Sequence, residues 1–197
     1  MRDSKVWLIS ALGLISIGFA SQAQSAIYTA DFSSSILDAN LLLRSQEDWT
    51  VTSGGGVLEF SSLGNPASLT SSAVKYAQYL NGDFTATVNV DITNASNVTA
   101  SLYFTGDAGS GLNTNISAWK APYFLPGYSN IGGWDPVTNT MPTNVYGLAN
   151  ILTLQLSRTG DLFSESYKAV GANDFILWHT FDASQWHGVG GYVGIQA

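Results

Sequence analysis

The chain has 197 residues, seven basic against fourteen acidic, and a formal net charge of −7 at pH 7. That balance argues against nucleic acid or an anionic membrane surface as partner. The absence of cysteine removes disulfides, thiolate metal sites and cysteine nucleophiles, so burial must supply the stability of the fold.

Arg2 and Lys5 precede an apolar run from Val6 to Ala20, followed by the small and polar segment Ser21 to Ala26. This is the pattern of a secretory signal peptide. The apolar run is shorter than the roughly 20 residues that span a bilayer as a helix. Cleavage is expected after Ala23, giving a leader over 1–23 with 1–26 as the alternative, and no stable membrane insertion afterwards. The remainder suits one domain over 24–197, secreted to the extracellular space or the periplasm. Export without cysteines fits a bacterial route.

Beyond the leader no segment sustains a 3.6-residue apolar period between caps. Strands are expected near 27–33, 48–53, 57–61, 69–80, 83–93, 97–105, 114–120, 150–158, 162–169, 175–181 and 190–196. Gly54 to Gly56 reads as a hairpin turn, and Asn81-Gly82 and Gly106 to Gly109 as further turns. Phe84, Ala86, Val88, Val90 and Ile92 alternate with Thr85, Thr87, Asn89 and Asp91, as in a half-buried antiparallel strand. Leu152 to Arg158 runs through Thr159-Gly160-Asp161 into Leu162 to Lys168 as a hairpin with one buried face. Residues 122–144 hold four of the five prolines and read as a long ordered loop laid over a sheet. The class is all-β, a two-sheet antiparallel sandwich or jelly roll.

Chemistry is sparse in this pattern. The three glutamates, Glu47, Glu59 and Glu165, stand on separate segments, whereas a retaining glycosidase pair sits about 5 to 5.5 Å apart on one face. His179 follows Trp178 and His187 follows Trp186; strand alternation predicts that each Trp packs and each His points the other way. Zinc-type ligand spacing is absent. Trp49 and Trp178 sit among apolar neighbours and are assigned to the core. Sugar sites combine an aromatic platform with amide and carboxylate partners. Trp119, Tyr123, Tyr128 and Trp134, interleaved with Asn113, Asn115, Asn130 and Asp135, have that mixture.

Asp31 to Asp38, Trp49-Thr-Val, Gly55 to Phe60, Gly82-Asp-Phe84, Leu152 to Gly160, Trp178 and Gly191 to Ile195 occur in an order that resembles exported bacterial domains of the concanavalin A-like lectin/glucanase group. The resemblance spans nearly the whole chain after the leader and implies a laminin-G-like jelly roll. Two departures stand out. Ala169 to Asp174 replaces the Ser-x-Asp-Gly turn of the group, and the group's final strand is not matched before Ala197, so either the chain is a fragment lacking that strand or the strand near 27–32 is left with an exposed edge.

What the resemblance implies is a non-catalytic carbohydrate-binding module, with no cofactor required and calcium as the candidate ion. Asp31, Asp107, Asn113 and Asp161 offer hard oxygen ligands in turns, or cap those turns through backbone bonds. Arg158 matches a position commonly occupied by Arg in the group, and is read either as a polar contact to a glycan or as a pin for its hairpin. The expected site is Trp119, Tyr123 and Trp134 for stacking and Asn113, Asp135 and Arg158 for hydrogen bonding. Two other readings stay open. An adhesion or matrix protein would associate through the edge near 27–33. A glycan hydrolase or lyase would gather dispersed carboxylates, or His179 and His187, in one groove.

Overall fold

The computed structural model describes residues 5–9, 30, 32–35, 38–45, 49–62, 73–93, 99–119 and 129–197. Their strands in chain order are β1 (Lys5–Ile9), β2 (Leu41–Ser45), β3 (Trp49–Gly54), β4 (Val57–Ser62), β5 (Ala73–Tyr76), β6 (Phe84–Asp91), β7 (Thr99–Gly106), β8 (Asn113–Trp119), β9 (Ser129–Trp134), β10 (Val145–Leu148), β11 (Ile151–Thr159), β12 (Leu162–Ala169), β13 (Ile176–Asp182) and β14 (Gly191–Gln196). They form two sheets of antiparallel pairs. The first runs β13-β12-β11-β6-β1-β4-β3 and the second β10-β9-β8-β7-β14-β5-β2. Among the described residues no helix is long and apolar enough to cross a membrane.

Two turns set the registers. Gly55 and Gly56 both take positive φ, +60° and +81°, the conformation of a two-residue turn whose twist matches the flanking strands, and β3 pairs with β4 from Gly54–Val57 outward. Gly160, at φ +59°, opens the turn into β12, which pairs with β11 from Thr159–Leu162 to Leu152–Ala169. Along β6 the apolar members Phe84, Ala86, Val88 and Val90 are buried and the intervening threonines are half-buried.

The core lies between the sheets. Phe104 of the second sheet stacks on Phe84 and leans on Phe163 of the first, with ring centroids 5.5 and 5.3 Å apart, and Phe163 stacks on Phe181 at 5.1 Å. Leu58, Phe60, Leu102, Ile116, Leu154 and Leu156 are fully enclosed around them. At about 25 cal/mol per Å² of buried apolar surface, such a core is the main stabilising contribution in a chain without disulfides.

The expected loop over 122–144 is corrected in part. Residues 129–134 form β9, paired to β8 from Asn115–Trp134 to Trp119–Asn130, and 135–144 turns back to bring β10 onto β9. Gly132 and Gly133 lower the intrinsic strand signal, yet the packing requires them. A Cβ at Gly133 would stand 2.0 Å from the Asn115 carbonyl oxygen, and one at Gly132 would stand 2.7 Å from Asn144 Oδ1. Strand β2 is a second addition, because Leu41-Leu-Leu carries no alternation. Strand β1 comes from the segment read as the export leader, and it lies between β4 and β6. Most of the expected strand near 27–33 lies outside the described residues, although Ala30 and Phe32 are buried.

Candidate functional site

Alternation along β8 sends Thr114, Ile116 and Ala118 into the core and leaves Asn113, Asn115, Ser117 and Trp119 on the outer face of the second sheet. Opposite residues of an antiparallel pair share a face, so Trp134 lies beside Asn115 and Gly132 beside Ser117. The returning segment 141–144 closes one side. The result is a groove of about 450 Å³ lined by Thr99, Asn115, Ser117, Trp119, Gly132, Gly133, Trp134, Met141 and Asn144. A smaller hollow of about 160 Å³ adjoins it, sharing Asn115 and Trp134 and adding Tyr103, Thr105, Asn113 and Gln196.

The groove is held in shape by its own contacts. Trp119 meets Tyr146 edge to face, with centroids 6.2 Å apart, and Asn144 Nδ2 lies 3.4 Å from the Tyr146 hydroxyl. Ser101 and Ser117 share a hydrogen bond of 2.8 Å, and the Thr105 hydroxyl donates to Asn113 Oδ1 at 2.6 Å. Trp178 supports the floor from behind. Glu165 pairs with His179 while Ser166 pairs with Leu177, so Trp178 is the extra residue of a bulge, a device that re-aims a side chain. Its ring would contact a Cβ at Gly133, and its Nε1 donates to the Thr143 carbonyl at 3.0 Å.

Of the expected ligand-binding residues, Trp119 and Trp134 line the main groove and Asn113 lines the adjoining hollow. Tyr123 lies outside the described residues. Asp135 and Arg158 are elsewhere. Asp135 is buried; its Oδ1 accepts the Val137 and Thr138 amides at 2.7 and 3.3 Å and its Oδ2 lies 3.2 Å from His179 Nε2. Burial acts to raise this carboxyl, but hydrogen bonds from Val137, Thr138 and His179 outweigh it and hold it below the usual carboxylate range. The expectation that His179 points the other way from the packed Trp178 is corrected, because the register skips Trp178 and strict alternation is lost there. Arg158 is 3% exposed; its Nε and Nη1 donate to the Gly160 and Val189 carbonyls at 2.9 and 2.5 Å. It ties the β11–β12 turn to the segment that leads into β14.

Reading the sequence alone missed Ser117, Gly132, Gly133, Met141 and Asn144. Ser117 was accessible from the alternation of β8. The glycines and the 141–144 return were not, because they contribute through close approach between segments.

The described members of the expected calcium set each engage another side chain. Asp107 Oδ2 accepts the Tyr79 hydroxyl at 2.5 Å, Asn113 accepts Thr105, and Asp161 lies 3.8 Å from Arg158 Nη2 and 2.8 Å from His187 Nδ1. Asp31 lies outside the described residues. Among the described residues no group of three or more His, Asp or Glu side chains could hold a metal ion.

Two acidic side chains, Asp135 and Glu165, are buried away from the groove lining. Glu165 is fully buried on β12, facing His179 and within the field of Asp135. Burial pushes its carboxyl up to about 8; the hydrogen bond with Thr114 opposes that rise and the negative Asp135 adds to it. None of the described groove residues is a carboxylate or a histidine.

Neither a scan of protein-family models nor a search of curated proteins returned a match. Solved structures did. The lectin UEA-II in complex with galactose is similar over 82% of this chain and 85% of its own, with a TM-score of 0.51 and 12% identity. Lectin II from Ulex europaeus, at 12% identity, and the metal-free lectin I-B4 from Griffonia simplicifolia, at 13%, cover 82% of this chain and 85% and 86% of theirs, with TM-scores of 0.48 and 0.47. Two antiparallel sheets in this arrangement, with the UEA-II match, establish that the chain has the concanavalin A-like jelly-roll fold of the legume lectins.

Proposed function

We propose that this chain is an exported, non-catalytic glycan-binding module whose site is the groove on the outer face of the second sheet. The observation that carries the reading is the placement of two indoles, Trp119 and Trp134, either side of a strip of amide and hydroxyl groups from Asn115, Ser117 and Asn144. Indole faces accept the C–H faces of sugar rings while amides bind their hydroxyls. The similar lectin UEA-II is a complex with galactose, which supports the same ligand class. The acid and base groups Asp135, Glu165 and His179 lie behind the groove, within the sandwich. Export rests on the leader pattern of residues 1–26.

The test is a glycan and polysaccharide binding screen on the exported form, with calcium and with chelator, repeated on a Trp119→Ala/Trp134→Ala double variant. Saturable binding that the double variant loses is expected. Binding that survives in the double variant would move the site elsewhere, and release of shortened sugars would make the protein an enzyme.

A further inference from the structure

The groove's charge and extent narrow the ligand. Its described lining contains no Lys, Arg, His, Asp or Glu, in a chain whose net charge is −7. Sites that hold uronates or sulfated sugars need cationic, planar or multi-donor partners for the anion, and the described lining has none. On the same sheet face, Lys75 lies with its ammonium 4.1 Å from the centre of the Tyr192 ring. Arg158 is buried, its guanidinium donating to the Gly160 and Val189 carbonyls. A polyanion therefore meets a repelling overall field and no cation in the described lining, with Lys75 held on Tyr192 beside β14.

Extent is the second constraint. The main groove and the adjoining hollow share Asn115 and Trp134, so they form one trough crossing β14, β7, β8 and β9. Four neighbouring strands span about 15 Å at the usual strand spacing, longer than one sugar ring. Gly132 keeps the floor low between Trp119 and Asn144, since a Cβ there would stand 3.1 Å from Trp119 Nε1 and 2.7 Å from Asn144 Oδ1.

We infer that the trough binds an internal stretch of a linear, uncharged polysaccharide, several rings long, and discriminates against polyuronates. This rests on the glycan-binding reading and specifies its ligand class. The experiment titrates the full-length exported protein with gluco-oligosaccharides and with oligogalacturonates, each of one to six units, by calorimetry and tryptophan fluorescence. The expected result is affinity that climbs at least about tenfold from one unit to six in the neutral series. Oligogalacturonates of equal length should bind at least about tenfold more weakly. Trp134→Ala should lose about tenfold for the six-unit ligand with an unchanged melting temperature, and Gly132→Ala should weaken it by filling the floor.

Equal affinity for the uronate series overturns the neutral-ligand inference and leaves the glycan-binding reading intact. Equal affinity for one unit and six overturns the extended trough alone. Binding to neither series, nor to any glycan in the broader screen, overturns both.

Discussion

Thr114 Oγ1 on β8 lies 2.6 Å from Glu165 Oε1 on β12 and 2.8 Å from the Trp134 carbonyl oxygen. A hydroxyl has one proton to donate, and a carbonyl can only accept. Both contacts are satisfied together when Glu165 is the neutral acid, donating to Thr114, which donates to Trp134. The second carboxyl oxygen, Oε2, is buried without a hydrogen-bond partner among the described residues, which costs far less for a neutral acid than for a carboxylate. This contact links the two sheets directly beneath the indole of the groove.

Glu165 should therefore make stability depend on pH in the sense opposite to an ordinary ion-paired carboxylate. Its carboxyl is raised from 4.5 to about 8 in the fold. Between those values the unfolded chain has released the proton and the folded chain still holds it. Stability falls as pH rises through that window and levels off above it, a cost on the order of 5 kcal/mol. Glu165→Gln keeps the shape and the donor, so urea denaturation from pH 5 to 9 should show a much flatter profile and a variant more stable than the parent at pH 8 and above. Parallel profiles for the two proteins would falsify the neutral acid.

Gly133→Ala should break the site where Gly132→Ala only fills it. The added Cβ at 133 would meet backbone, the Asn115 carbonyl oxygen at 2.0 Å, and the Trp178 ring at 2.8 Å; at 132 it meets the end of a side chain. Overpacking that must move backbone costs about 1–3 kcal/mol or more, so thermal melts should show a clear loss for the first variant and a small one for the second. Similar losses in both would mean that β8 and β9 are not this close.

Arg158→Ala should cost stability and spare binding. The guanidinium serves the Gly160 and Val189 carbonyls and lies 5.4 Å from the centre of the Phe163 ring. Removing charge-assisted bonds from a buried position costs about 2–4 kcal/mol. Chemical denaturation combined with a binding titration separates the two effects; weaker binding in a variant that is still fully folded would return Arg158 to the ligand.

Removal of residues 1–23 takes β1 out of the first sheet, where Trp7 stands opposite both Glu59 and Asp91. The segment that ends at Phe32 is expected to take the vacated lane. One step beyond the Ile9–Val57 pair, the Gly56 amide donates to the Phe32 carbonyl at 3.0 Å. Extended along β4 in the absence of β1, that register would set Ala30 opposite Leu58, which pairs with Leu8 while β1 is present; both are buried. Hydrogen exchange on the chain starting at residue 24 should find the β4 and β6 amides protected, and Ala30→Asp should abolish that protection. Fast exchange along both strands in the unsubstituted chain would show the lane to be open.

Periodicity and turn chemistry made much of the fold legible. Phe84 to Val90 could bury one face only as a strand, and Gly55-Gly56 and Gly160-Asp161 could close hairpins because glycine tolerates positive φ. The same local rules put Asn113, Asn115 and Trp119 on one face of β8 once that strand was recognised. Local sequence does not encode which side chains approach from distant segments. Gly132 and Gly133 looked like loop residues, and only the closeness of Asn115, Asn144 and Trp178 explains why a strand carries them. Asp135 and Arg158 looked like groove residues, and only pairing with His179 and with the Gly160 and Val189 carbonyls turned them inward. Composition and alternation determined an all-β sandwich with few charged residues and an acidic balance. Long-range contact between the sheets, which no window of sequence contains, decided where the groove lies and which polar groups it keeps.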